Sequence, residues 1–166
     1  MATLISIPIM IFLLMLQTGI ISHLPLLNGT ADIILLVLVA WSLQAKVNNA
    51  WFWALVAGGL VSLVSATPYF APLIGYLVVT GLGQFLQKRI WQTPILAMFM
   101  VTFVGTFAYQ GILFIALVVK GVPLNWRECL QLVVLPSLLL NMALAIPVHS
   151  IIVDLANWVF PTQAEI

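Results

Sequence analysis

Apolar runs dominate this chain and set the strongest limit on its fold. Stretches such as Ile33–Ser42 and Pro94–Val119 carry no charge at all. Over the whole 166 residues there are five Lys or Arg and four Asp or Glu, which is 5% of the chain, against a hydrophobic share of 64%. A soluble domain carries about 25% charged residues, so a chain like this cannot cover its surface in water. The composition excludes a soluble enzyme, a disordered tail and a basic nucleic-acid binder. A membrane β-barrel would show short alternating segments instead of long apolar runs. The expectation is an all-α membrane protein, a single integral-membrane domain over residues 1–166.

A span needs about 20 residues, so the length accommodates six transmembrane helices with short loops. They are expected at 4–22, 32–46, 50–66, 69–86, 94–119 and 130–160. Local chemistry marks the breaks. Asn28-Gly29-Thr30 is a turn, also readable as a glycosylation sequon, that offers Thr30 or Asp32 as the next N-cap. Pro68 disfavours helical geometry at Thr67. Pro94 suits the first turn of the fifth helix. The second span is short, and Lys46 is expected to snorkel at its end. Lys46, Lys88 and Arg89 lie on one side and Lys120 and Arg127 on the other, so the positive-inside rule places both termini in the cytoplasm. Trp91, Trp126 and Trp158 fall where an aromatic belt would.

Groups able to do chemistry are scarce. His23 and His149 are far apart and neither has a second ligand at helical spacing. The lone Cys129 excludes an internal disulfide and a Cys-cluster metal site. No nucleophile elbow or phosphate-cradling glycine loop is present. No catalytic residue, metal or cofactor is expected. Asp32 and Asp154 sit near span ends, where a helix terminus or the interface explains them.

Small and amide side chains are more informative. Ala50, Ala54, Gly58, Ser62 and Ala66 recur every four residues and form one smooth stripe, and Gly75 lies on a similar face of the fourth span. Such faces serve packing within the chain or docking of a partner helix. Gly58→Leu is expected to weaken partner assembly while leaving insertion intact. Ser137, Asn141 and His149 share a face of the sixth span, which Pro136 and Pro147 interrupt. Thr102, Thr106 and Gln110 form a second polar stripe. With His149, Tyr76 and Tyr109 these could line a pocket between helices.

Several runs occur in a familiar order. Leu16-Gln17-Thr18 is followed by Ala31-Asp32-Ile33-Ile34-Leu35-Leu36 and Ala40-Trp41-Ser42-Leu43. Then come Ala57-Gly58-Gly59-Leu60, Ser65-Ala66-Thr67-Pro68 and Gly75-Tyr76-Leu77, and late in the chain Leu140-Asn141 with Ala145-Ile146-Pro147-Val148. The ordered set resembles the rod shape-determining protein MreD family. The chain departs from it at Ser62, His149 and Asp154, where the family often has Asp, Tyr and basic residues. The resemblance implies a bacterial cytoplasmic-membrane protein with a fold similar to the substrate-binding subunits of energy-coupling-factor transporters. It implies a non-catalytic scaffold of the cell-elongation machinery. Its partners would be an MreC-like bitopic protein, a RodA-like glycosyltransferase and a class B penicillin-binding protein, with membrane lipid around them and no nucleic acid. The residues expected to bind a partner or to pack helices together are Ala54, Gly58, Ser62, Gly75, Asn141 and Pro147. The alternative is a substrate-binding membrane subunit of a vitamin-type transporter, with Thr102, Thr106, Gln110 and His149 around its ligand.

Overall fold

A computed structural model describes residues 2–19, 29–68, 70–89 and 94–160. These form six helices: α1 (Ala2–Gly19), α2 (Ile33–Ser42), α3 (Ala50–Val64), α4 (Phe70–Gln87), α5 (Pro94–Val119) and α6 (Trp126–Val159). Among the described residues α4, α5 and α6 are long and apolar enough to cross a membrane, while α2, α3 and the apolar part of α1 (Ile5–Gly19) are shorter. The expected Asn28, His23, Tyr69 and Trp91 features, and the end of the first span, lie outside the described residues.

The second helix differs most from expectation. It ends at Ser42, before Lys46, and has only 10 residues. At 1.5 Å per residue that is about 15 Å, half of a hydrocarbon core of about 30 Å. Its sequence, IILLVLVAWS, is apolar all round, and every residue after Ile33 is buried. A helix without a polar face must be enclosed on all sides, and α2 touches each of the other five helices. It is the axis of the bundle. Lys46 instead lies in the following loop, where its Nζ donates to Asn157 Oδ1 of α6 at 3.4 Å.

The C-terminal end of α2 is fixed by aromatic packing. Trp41 and Trp53 are both fully buried. Their rings stack at 4.1 Å with 20° between planes, and Trp41 Nε1 donates to Asn49 Oδ1 at 3.3 Å.

Glycines set how closely α4 approaches its neighbours. A Cβ on Gly58 of α3 would lie 2.6 Å from Leu73 Cα, and one on Gly75 would lie 2.5 Å from the Tyr109 ring. On the α2 side, a Cβ on Gly83 would strike Ser42 Oγ. Ala54, Gly58 and Ser62 therefore belong to the buried side of α3. Helix α4 fills the Gly58 face, so Gly58 serves packing within the chain, one of the two roles expected of the stripe. Only Ala66, beyond the helix end, is exposed among the stripe residues.

Helix α6 starts a turn earlier than residue 130, because Asn125 caps it by accepting the Arg127 N–H at 3.1 Å. Its second segment, Leu130–Val134, is a π-helix in which Leu135 N–H reaches back to Leu130 O. Pro136 follows at once and has no N–H to give, so the wider turn absorbs the missing bond and the ring. Trp126 and Trp158 stand exposed at opposite ends of α6, as belt residues would. Trp126 meets Phe114 edge-on at 4.9 Å.

Candidate functional site

The buried N-terminus of α2 raises a physical problem. The first N–H groups of a helix have no partner within it, and an interior without water leaves them costly. Each solution here comes from a different element. Asp32 is the N-cap, and its Oδ1 accepts the Leu35 N–H at 2.9 Å. Gln17 Oε1 of α1 accepts the Ile34 N–H at 3.2 Å. Asn141 Oδ1 of α6 accepts the N–H of Asp32 itself at 2.8 Å.

The cluster continues outward from these contacts. Asn141 Nδ2 donates to Thr106 Oγ1 of α5 at 3.1 Å. One turn earlier on α6, Ser137 Oγ accepts the Thr30 N–H at 3.1 Å. Ser137 and Asn141 thus form two rungs that hold the incoming backbone against α6. Gly29 makes this possible, since a Cβ there would lie 2.6 Å from Ser137 N and 2.7 Å from Val133 O. The chain docks where the π turn and Pro136 have reshaped the helix. From α4, Tyr76 OH donates to Asp32 Oδ2 at 3.0 Å, and the Tyr76 ring stacks on Tyr109 of α5 at 4.7 Å. The positive end of α2 faces the Asp32 side chain.

Ser137→Ala removes one rung and leaves one N–H without its acceptor. It is expected to lower unfolding stability by about 1 kcal/mol, read as a lower thermal midpoint of the purified protein.

Beside the cluster lies a cavity of about 290 Å³. Gln17 and Thr18 of α1, Thr30 and Asp32, Val64 and Ser65 at the end of α3, Tyr76 of α4, and Tyr109 and Gln110 of α5 contribute to its wall. Of the expected pocket residues Thr102, Thr106, Gln110 and His149, Gln110 lines this cavity. Thr106 is committed to Asn141. Thr102 and His149 are buried elsewhere, and Thr102 Oγ1 and His149 Nδ1 have no hydrogen-bond partner. Among the described residues no group of three His, Cys, Asp or Glu could hold a metal ion.

No protein-family model, no curated protein and no solved structure matches the chain. The site is therefore read from its own residues.

Of the six residues expected to bind a partner or pack helices, Asn141 is in the cluster, Gly75 packs under Tyr109, and Ala54, Gly58 and Ser62 are buried in α3. Pro147 alone of the six is exposed. The residues that sequence reasoning passed over as site members are Asp32, Gln17 and Thr30. Asp32 was legible as a helix cap. A stronger signal was available: a carboxylate directly before a short run with no polar face needs partners from elsewhere, and Gln17 is the one amide in a helix whose other polar side chains are hydroxyls.

Proposed function

We propose that the chain is a non-catalytic scaffold subunit of the bacterial cell-elongation machinery, embedded in the cytoplasmic membrane as a six-helix bundle. The ends bearing Lys46 and Lys88-Arg89 face the cytoplasm. One observation carries the reading. Three positions of the MreD-like pattern that are far apart in sequence, Asp32, Tyr76 and Asn141, meet in one hydrogen-bonded cluster. Each local motif is a few residues long and weak by itself, and their convergence supports treating them as one pattern.

In this reading the cluster fixes the bundle, and partners meet its outer surface. The outward face of α6 is the best candidate. Leu135, Leu139, Ile146 and Ile151 are exposed there, next to Pro147. Against a helix from an MreC-like bitopic protein or a RodA-like glycosyltransferase, such a face would gain van der Waals packing, which drives association in lipid. The test is purification of the tagged chain from its own membranes in mild detergent, with identification of what accompanies it. A single-span coiled-coil protein with a polytopic glycosyltransferase supports the scaffold. An ATPase pair with a coupling subunit contradicts it.

The cavity favours a second reading, a substrate-binding membrane subunit of a small-molecule transporter. Its polar wall groups, Gln17, Asp32 and Gln110, sit in the half of the bundle away from Lys46 and Lys88. Reconstituted vesicles that accumulate a small molecule only with an ATPase partner present would favour the carrier.

A further inference from the structure

We infer that the cavity beside Asp32 is a binding site for a small protonated organic amine. The site goes beyond both functional readings, since a scaffold could sense such a ligand and a carrier could move it.

The argument starts from charge. Among the described residues lining the cavity, Asp32 is the only carboxylic acid and there is no Lys, Arg or His. Its carboxylate can accept about four hydrogen bonds; the Leu35 N–H and Tyr76 O–H donate to it, and the Ile34 N–H and the Gln17 side chain lie against it as well. An anion entering the cavity would meet this carboxylate with no compensating base. A cation would itself favour the ionised form of this acid, and the pair would attract strongly in surroundings of low dielectric.

Hydrogen bonding narrows the class. An ammonium group has three donors and no acceptor, so it needs several acceptors converging on it. Asp32, Gln110 and Thr30, each of which carries an acceptor oxygen in its side chain, all line the cavity. The stacked Tyr76 and Tyr109 beside them offer aromatic surface, which also attracts cations. Among the described residues no three His, Cys, Asp or Glu come together to hold a metal ion. At about 290 Å³ the cavity is at the lower limit of small-molecule sites. An ethanolamine-sized amine fits, either free or as the headgroup of a lipid whose chains stay in the bilayer.

The test measures the thermal midpoint of the full chain in detergent at constant ionic strength. The probes are ethanolamine, ethylene glycol as its uncharged analogue, and acetate. At about ten times its dissociation constant, ethanolamine is expected to raise the midpoint by about 3–6 °C, and the other two by nothing. Asp32→Asn keeps an oxygen for the cap and removes the charge, so the shift should vanish. If that variant fails to fold, Gln110→Lys serves instead. Gln110 is half-buried, and a tethered ammonium there should displace ethanolamine.

A second arm compares nanodiscs of phosphatidylethanolamine with nanodiscs of phosphatidylglycerol. A higher midpoint in phosphatidylethanolamine, with no further rise on adding ethanolamine, identifies the headgroup as the source. A rise on addition in both lipids identifies a free amine. The inference is overturned if ethanolamine has no effect in detergent and the two lipids give equal midpoints. It is also overturned if ethylene glycol matches ethanolamine, or if the shift persists in Gln110→Lys and in a folded Asp32→Asn. None of these outcomes depends on which proteins co-purify with the chain.

Discussion

Gly58→Leu is expected to break the bundle itself. The new Cβ alone would lie 2.6 Å from Leu73 Cα and 2.8 Å from its Cδ1. The first of these is backbone and cannot turn aside, so α3 and α4 must separate along their whole contact. Overpacking of a tight core typically costs about 1–3 kcal/mol and sometimes more. A helix backbone as the obstacle puts this case at about 3 kcal/mol or above, within a total stability of about 5–15 kcal/mol. Thermal unfolding in detergent should show a midpoint lower by about 6–12 °C, or an aggregated protein. Gly59→Leu is the internal control. It changes the adjacent residue by the same volume, and a Cβ there meets nothing within 4 Å, so the midpoint should stay near that of the unaltered chain. A folded Gly58→Leu that had merely lost its partners would contradict this packing.

Asn141→Leu is expected to have a comparable effect by a different route. The two side chains are close in size, so little volume changes. What changes is the polar accounting at the start of α2. The Asp32 N–H loses its acceptor, and Thr106 Oγ1 loses its donor. Asn141 is 1% exposed, so water cannot easily replace it. An unsatisfied buried group costs about 1–3 kcal/mol, and two of them give about 2–6 kcal/mol. The same midpoint assay reads the loss. Amide exchange adds a specific signature: the Asp32 to Leu35 amides should lose protection, while those in the middle of α5 keep theirs. Uniform loss across the chain at an unchanged midpoint would argue against a local role.

The long helices could be read directly from the sequence, and the reasons are local. Helix α5 begins and ends where expected, at Pro94 and Val119, because a proline opens it and apolar residues run without interruption. Helix α3 stops at Val64, two residues early, ahead of the turn in which Thr67 N–H donates to Ser65 Oγ at 3.2 Å. The turn of α6 before Leu130 depends on the Asn125 cap, a weaker signal that a hydropathy reading passes over.

The second helix could not be read in the same way. An apolar stretch flanked by Asp32 and Lys46 has the pattern of a thin span, and nothing local separates that from a buried axis. The distinction lies in residues more than a hundred positions away. Asn141 is 109 residues from Asp32 and Ser137 is 107 from Thr30. The small stripe of α3 was visible too, but packing within the chain and packing between chains require the same residue types. Only the position of Leu73 decides between them. The cavity escaped for a related reason. Thr102, Thr106 and Gln110 share a helical stripe, yet their surroundings differ, and Gln110 faces open space while Thr106 is bonded to Asn141.

The claim that partners meet the outer face of α6, and not the small-residue stripe, is tested most directly by site-specific photocrosslinking in native membranes. A photoreactive residue would replace Leu139 or Ile146, which are 63% and 52% exposed, or Leu63 of α3 as an exposed site on another face, at 77%. The scaffold account predicts a discrete protein adduct from Leu139 and Ile146, containing a single-span or polytopic wall-synthesis protein, and none from Leu63. Lipid adducts alone at both α6 positions, with a protein adduct confined to Leu63, would contradict it.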